Sequence, residues 1–163
     1  NGQFIGLDET FEKRKNQSVF AALDESQLIT YPAISAEKAI IYVATDVNCP
    51  YCRKLHQQFP MLNTKGVTVK TIAYPIYEQS PAQMRGIWCQ ADKESRRKAF
   101  DKAMLSGKMT PAATSCNADY VTPNREKAAG LAVIATPAIY REDGVLYQAS
   151  FESAEFLEFL GIK

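Results

Sequence analysis

Two periods alternate in the hydrophobic pattern of the 163-residue chain. The run Ala39-Ile40-Ile41-Tyr42-Val43-Ala44 is apolar without interruption and rich in β-branched and aromatic residues, which predicts a buried strand over 38–45. Beyond it Leu55, Phe59 and Leu62 recur at helical spacing, predicting a helix over 50–62 that bends or ends near Pro60. Residues 67–74 alternate β-branched with polar side chains and form a second strand. Strand, helix and strand in that order usually make a parallel unit.

Flanking segments extend the pattern. Val19, Phe20, Leu23 and Leu28 predict an amphipathic helix over 16–29 that Tyr31-Pro32 stops. Ahead of it, Gln3-Phe4-Ile5-Gly6 reads as the end of a short strand without a local partner, within a tail spanning 1–8. The segment from Pro81 to Thr110 is rich in helix formers, with Met84, Ile87, Trp88, Phe100, Met104 and Leu105 as an apolar stripe, and reads as a helical insertion. A helix over 124–129 ends near Gly130 and leads through Ala132–Ala135 to Thr136-Pro137. Ala138-Ile139-Tyr140, a turn at Asp143-Gly144 and Val145-Leu146-Tyr147 predict a hairpin, and residues 153–160 a closing helix. An α/β domain with a mixed sheet follows, because the hairpin is antiparallel.

Composition narrows function mainly by exclusion. Hydrophobic residues are 46% and charged residues 23%, ordinary globular usage, and the length suits one compact domain. A net charge of +1 supplies no field for nucleic acid or a membrane surface, so no nucleic-acid partner is expected. The run Asp92-Lys93-Glu94-Ser95-Arg96-Arg97-Lys98 mixes both signs and reads as a solvated helix face. No apolar stretch approaches a membrane span, and a chain beginning at Asn1 is expected to be processed or cut from a longer one.

Chemistry concentrates at Cys49-Pro50-Tyr51-Cys52. Two thiols at this spacing can share a disulfide and pass it on. Pro50 suits the first helical position, so Cys49 falls at the helix start, where free backbone N–H groups and the helix dipole stabilise its thiolate over that of Cys52. Cys49 is therefore the expected nucleophile and Cys52 the resolving thiol. Cys89 and Cys116 allow three arrangements: zinc ligands, buried free thiols or a structural disulfide. The last is favoured; it would close a helical segment, contribute on the order of 3 to 4 kcal/mol and imply an oxidising compartment. No metal and no cofactor are assigned. Pro137, where a helix passes into an apolar strand, marks an edge, a bulge or a cis peptide. His56 lies about 10 Å along the helix from Cys49 and reads as structural. Asp46 is expected to cap the helix in preference to carrying protons, and Tyr51 to be exposed between the thiols.

The order of elements is similar to the thioredoxin pattern with a helical insertion at about 80–130. More closely, the chain resembles the DsbC/DsbG group of bacterial periplasmic disulfide isomerases through Thr45-Asp46, Cys49-Pro50-Tyr51-Cys52, Lys54-Leu55-His56, Ile87-Trp88-Cys89 and Thr136-Pro137-Ala138. The resemblance implies a cis Pro137 beside the thiols, a substrate-binding role for Thr136, Pro137, Pro50 and Tyr51, and a structural Cys89–Cys116 disulfide. It also implies a periplasmic location and a division in which residues 1–36 are a linker helix and the end of a missing dimerisation domain, with 37–163 as the catalytic domain. The longer protein would then be a homodimer.

The implied activity is thiol–disulfide exchange on misfolded or disulfide-bonded exported proteins, by isomerisation or by reduction with electrons from a DsbD-type membrane reductase. Two alternatives stand beside it: a DsbA-like dithiol oxidase, and a thioredoxin-fold binding module or holdase without turnover. Thr136 before the proline departs from the Val usual in the oxidases. Pro50-Tyr51 is nearer to DsbG than to DsbC.

Overall fold

The computed structural model describes residues 2–162, with side chains from residue 8 onward. The apolar run predicted as a strand forms β2 (Ala39–Thr45), and the alternating segment forms β3 (Val67–Ala73). They pair in parallel with Ile41 opposite Val69 and Val43 opposite Thr71. The strand β4 (Ala138–Arg141) lies antiparallel to β2 on its other side, with Tyr42 opposite Tyr140. A short β1 (Ile29–Tyr31) adds antiparallel to the far edge of β3, giving the mixed order β1-β3-β2-β4.

Side chains of a strand alternate between faces, and here both faces are covered, which is why β2 carries no polar alternation. Ile41, Val43, Val67 and Val69 enter one core with Leu55, Phe59, Trp88, Phe100 and Phe156. Tyr42, Ala44 and Ile72 enter the other, with Phe20, Leu23 and Ala128. The first core is built by α2 (Pro50–His56), α3 (Phe59–Thr64), α4 (Ser80–Trp88), α5 (Lys93–Ser106) and α7 (Glu155–Leu160). The second is closed by α1 (Gly2–Ala22) and α6 (Thr122–Ala128).

Helix α1 is docked onto the sheet. The Phe20 ring stacks on Tyr42 at 4.1 Å between centroids and meets Tyr140 edge-on at 5.7 Å. Burying a side chain of this size stabilises by about 1.5 to 3 kcal/mol. The Asn16 side-chain amide donates to the Gly144 carbonyl at 2.8 Å. Gly144 has φ +95°, and a Cβ there would fall 2.4 Å from the Lys13 carbonyl oxygen, so the hairpin turn needs glycine both for its conformation and for this contact.

Several elements differ from the sequence pattern. The backbone is helical from Gly2, so a strand end at Gln3–Gly6 is not formed; Asn1 lies outside the described residues. The helix predicted over 16–29 ends at Ala22. Asp24 accepts from the Ser26 N–H and starts a 3-10 turn, Glu25–Gln27, which redirects Leu28 and Ile29 into β1. The helix predicted over 50–62 is broken into α2 and α3 just before Pro60. The insertion divides where Asp92 caps α5 through the Ser95 N–H at 2.7 Å. The hairpin's second arm makes one bridge, Tyr140 to Leu146, then leaves the sheet as Tyr147 packs on Phe156 and Phe159.

Candidate active site

Strand β2 delivers the chain to the site and α2 begins there. Cys49 is itself the N-cap of α2, with extended backbone (φ −83°, ψ 121°) and Pro50 in the first turn. Its Sγ accepts from the Cys52 N–H at 3.4 Å, so the sulfur takes the place an Asp or Ser oxygen usually fills at a helix start. Both thiols are free; Cys49 is 5% exposed and Cys52 1%. Tyr51 projects outward between them at 60% exposure, with the Lys54 ammonium 5.3 Å from its ring centre.

The loop after the second 3-10 turn (Ala129–Leu131) approaches from the other side. The Thr136–Pro137 peptide bond is cis. The Cys49 thiol donates to the Thr136 carbonyl at 3.4 Å. The Thr136 hydroxyl oxygen is buried and has no hydrogen-bond partner within the protein's described residues. The carbonyl serves the protonated sulfur, and the hydroxyl is placed to donate to the thiolate.

The environment divides the two thiols sharply. Cys49 is drawn down to about 6 from an ordinary thiol value of 9.0. The largest cause is hydrogen bonding from the Cys52 thiol, opposed by burial and helped by Thr136 and by the Cys52 and Tyr51 backbone N–H groups. Cys52 is pushed up, first by burial and then by its bond to the Cys49 sulfur. One sulfur is thus an anion near neutral pH and its neighbour a proton donor. A thiolate this stabilised can attack a disulfide and also leave readily from a mixed disulfide.

The carboxylate of Asp46 does not cap α2. Fully buried, it accepts the Asn48 N–H and the Ser80 hydroxyl on Oδ1, each at 2.7 Å, and the Ile76 and Tyr77 N–H groups on Oδ2 at 2.6 and 3.2 Å. It therefore ties the β3–α4 loop to the segment entering the site. The Asn48 amide donates to Ser80 and Gln83 beside it, and the Arg53 side chain donates to the Val47 carbonyl at 2.9 Å. Sequence pattern did not single out Asn48, Ser80, Gln83 or Arg53, and no local signal marks them.

His56 stands at the far end of α2. Buried against Phe59, Phe100 and Tyr31, it meets Asp101 of α5 at 2.7 Å, and the Tyr31 hydroxyl donates to the same carboxylate oxygen at 2.7 Å. This arrangement fastens α2 to α5 and β1. Cys89, at the end of α4, is bonded to Cys116 with 5.6 Å between Cα atoms. The cross-link ties the end of α4 to the segment after α5. Among the described residues no cluster of His, Cys, Asp or Glu could hold a metal, and no helix is long and apolar enough to cross a membrane.

Residues 26–161 match the family model described as a thioredoxin-like domain. The thiol:disulfide interchange protein DsbC of Escherichia coli K12 is 37% identical over 140 residues, covering 82% of this chain and 56% of that protein. DsbC of Dickeya dadantii is 38% identical over the same shares. The chain thus spans little more than half the length of these curated relatives. Among solved structures, a disulfide interchange protein from Neisseria gonorrhoeae superposes with a TM-score of 0.69 at 22% identity, covering 85% of this chain and 96% of that one.

Proposed function

The chain belongs to the thioredoxin-like domain family, and we propose that it exchanges thiols and disulfides with exported proteins, isomerising or reducing non-native disulfides through Cys49 and Cys52. The observation that carries this reading is the opposed environment of the two sulfurs, Cys49 drawn down to about 6 and Cys52 pushed up. The printed name of the DsbC relatives, thiol:disulfide interchange protein, supports it.

In the proposed cycle the Cys49 thiolate attacks one sulfur of a client disulfide, forming a mixed disulfide and releasing the other client sulfur as a thiolate. A second client thiol then displaces Cys49 and leaves the client rearranged, with no net change in oxidation state. In the other exit Cys52 loses its proton and attacks Cys49, releasing a reduced client and an oxidised Cys49–Cys52 pair. Two electrons from outside must then restore the pair, and a DsbD-type membrane reductase fits that need. Pro50, Tyr51, Thr136 and Pro137 flank the attacking sulfur of Cys49 and would contact the client. Pro137 has no N–H and the bend that carries it leads directly into β4, so a client segment can lie along this backbone while Cys49 engages its disulfide.

A value of about 6 for Cys49 falls between the thioredoxin range of about 7 and the strong oxidant DsbA at about 3.5. That position favours isomerisation and reduction over dedicated oxidation. The periplasm suits both the chemistry and the second disulfide. In a longer protein, residues 1–36 would be the end of a dimerisation domain and the linker helix α1, with two catalytic domains held in one homodimer.

The test is trapping. Cys52→Ala is expected to accumulate a client joined covalently to Cys49 and to lose reductase turnover, while Cys49→Ser loses both trapping and turnover. Turnover surviving in Cys49→Ser would overturn the reading.

A further inference from the structure

A loop whose backbone is tied through Asp46 to the turn that carries Cys49 holds two large apolar side chains that the protein core does not use. Ile76 is 53% exposed and Tyr77 41%. Their backbone is fixed on all sides: both N–H groups end on the buried Asp46 carboxylate, Ser80 donates its N–H to the Tyr77 carbonyl at 3.1 Å, and the Tyr74 N–H bonds the Thr45 carbonyl at 2.9 Å. Tyr74 is further held under the Arg125 guanidinium, 3.7 Å from the ring centre. Asp46 also accepts the Cys49 N–H on its backbone oxygen at 3.2 Å. One residue therefore sets both the position of the loop and the position of the reacting cysteine.

Exposed Ile and Tyr side chains on a mobile loop would need no explanation. On backbone fixed by a buried carboxylate they form a preordered apolar surface, which loses little entropy when covered. Its occupant is constrained by the chemistry next to it. A client sulfur must reach Cys49, and client residues two or three positions along an extended segment then lie about 7 to 10 Å away. That is the neighbourhood of the loop that Asp46 ties to the site. Two further exposed apolar side chains flank the site in sequence: Tyr51 between the thiols at 60% exposure, and the fully exposed Ile134 two residues before Thr136.

We infer that Ile76 and Tyr77 are specificity-determining residues, which favour client cysteines with an aliphatic or aromatic residue two or three positions away in an extended, unfolded segment. Buried apolar residues lie near cysteines that should already be paired in a native fold, so such a preference would direct exchange to clients whose core is still open. The inference rests on the exchange activity proposed above.

The experiment uses the whole chain in its reduced form and three oxidants: glutathione disulfide, and two disulfide-bonded peptides differing only in Leu or Ser at the positions two residues from each cysteine. The wild-type protein is expected to react about tenfold faster with the Leu peptide than with the Ser peptide, the scale set by covering one aliphatic side chain partway. In the variant Ile76→Ser with Tyr77→Ser the ratio of the two peptide rates should fall to about two or less, with each rate normalised to that for glutathione disulfide. Both sites are on the surface, and circular dichroism verifies the variant's fold; Ile76→Lys, which adds charge without removing bulk, should invert the preference toward a fourth oxidant, the same peptide with Asp at those positions. Equal peptide rates in the wild type, or an unchanged ratio in the variants, would overturn the inference. Reaction of Cys49→Ser with any of the three oxidants would instead overturn the underlying exchange reading.

Discussion

The sulfur of Cys49 and the carbonyl oxygen of Thr136 are 3.4 Å apart, though 87 residues separate them in the chain. The contact joins the start of α2 to the cis-proline loop, and the Thr136 side chain, through its hydroxyl, helps to lower the Cys49 pKa. Stabilisation of the Cys49 anion therefore comes partly from an element remote in sequence.

Removing that hydroxyl while keeping its shape should raise the Cys49 pKa. In Thr136→Val, the pH midpoint of Cys49 alkylation by iodoacetamide is expected to move above the wild-type value of about 6. An unmoved midpoint would assign the shift wholly to Cys52 and the helix start.

Depression of the Cys49 pKa also makes folding pH-dependent in the reduced protein. Its folded value of about 6 lies below its ordinary value of 9.0, so the stabilisation is fully present above pH 9 and is lost as pH falls through 6. The difference in Tm between reduced wild type and reduced Cys49→Ala should accordingly grow as pH is raised from about 6 to about 9. A constant or shrinking difference would contradict the assigned direction.

Asp46 should matter for stability as well as for placement. Asp46→Ala leaves three backbone N–H groups and the Ser80 hydroxyl without their acceptor, a loss expected to cost about 2 to 4 kcal/mol by urea denaturation. A cost under about 0.5 kcal/mol, the scale of an ordinary surface change, would show that these bonds do not hold the loop.

The Cys89–Cys116 cross-link is separable from the chemistry. Replacing both with Ala is expected to lower stability by about 3 kcal/mol through the loop of 27 residues it closes. The alkylation midpoint of Cys49 should stay where it is, and a shift would place the insertion in contact with the thiol pair's energetics.

Local features of the sequence led to much of this structure and distant ones did not. Strand β2, strand β3 and the thiols at the head of α2 are legible because an apolar run, a period-two alternation and a proline at a helix start each act within a few residues. Strand β1 is not, since it has three residues, pairs on one side only, and includes Ile29, which with Leu28 fits a helical period equally well. Asp46 fits a helix cap by local pattern because its actual partners Ile76, Tyr77 and Ser80 lie 30 to 34 residues downstream. A structural role for His56 is legible from its distance to Cys49, but its partner Asp101 is 45 residues away and carries no local mark. The thiol pair is visible in the sequence; the residues that position it become visible only when the sheet brings them together.

The most direct test of the central claim is a redox titration of the chain against glutathione, with alkylation and mass analysis to resolve which cysteines respond. Cys49 and Cys52 should equilibrate as a pair at a potential clearly more oxidising than the roughly −270 mV of thioredoxin, while Cys89 and Cys116 remain bonded throughout. A thioredoxin-like potential would assign the pair to reduction over isomerisation, and failure of the pair to exchange would contradict the proposed function itself.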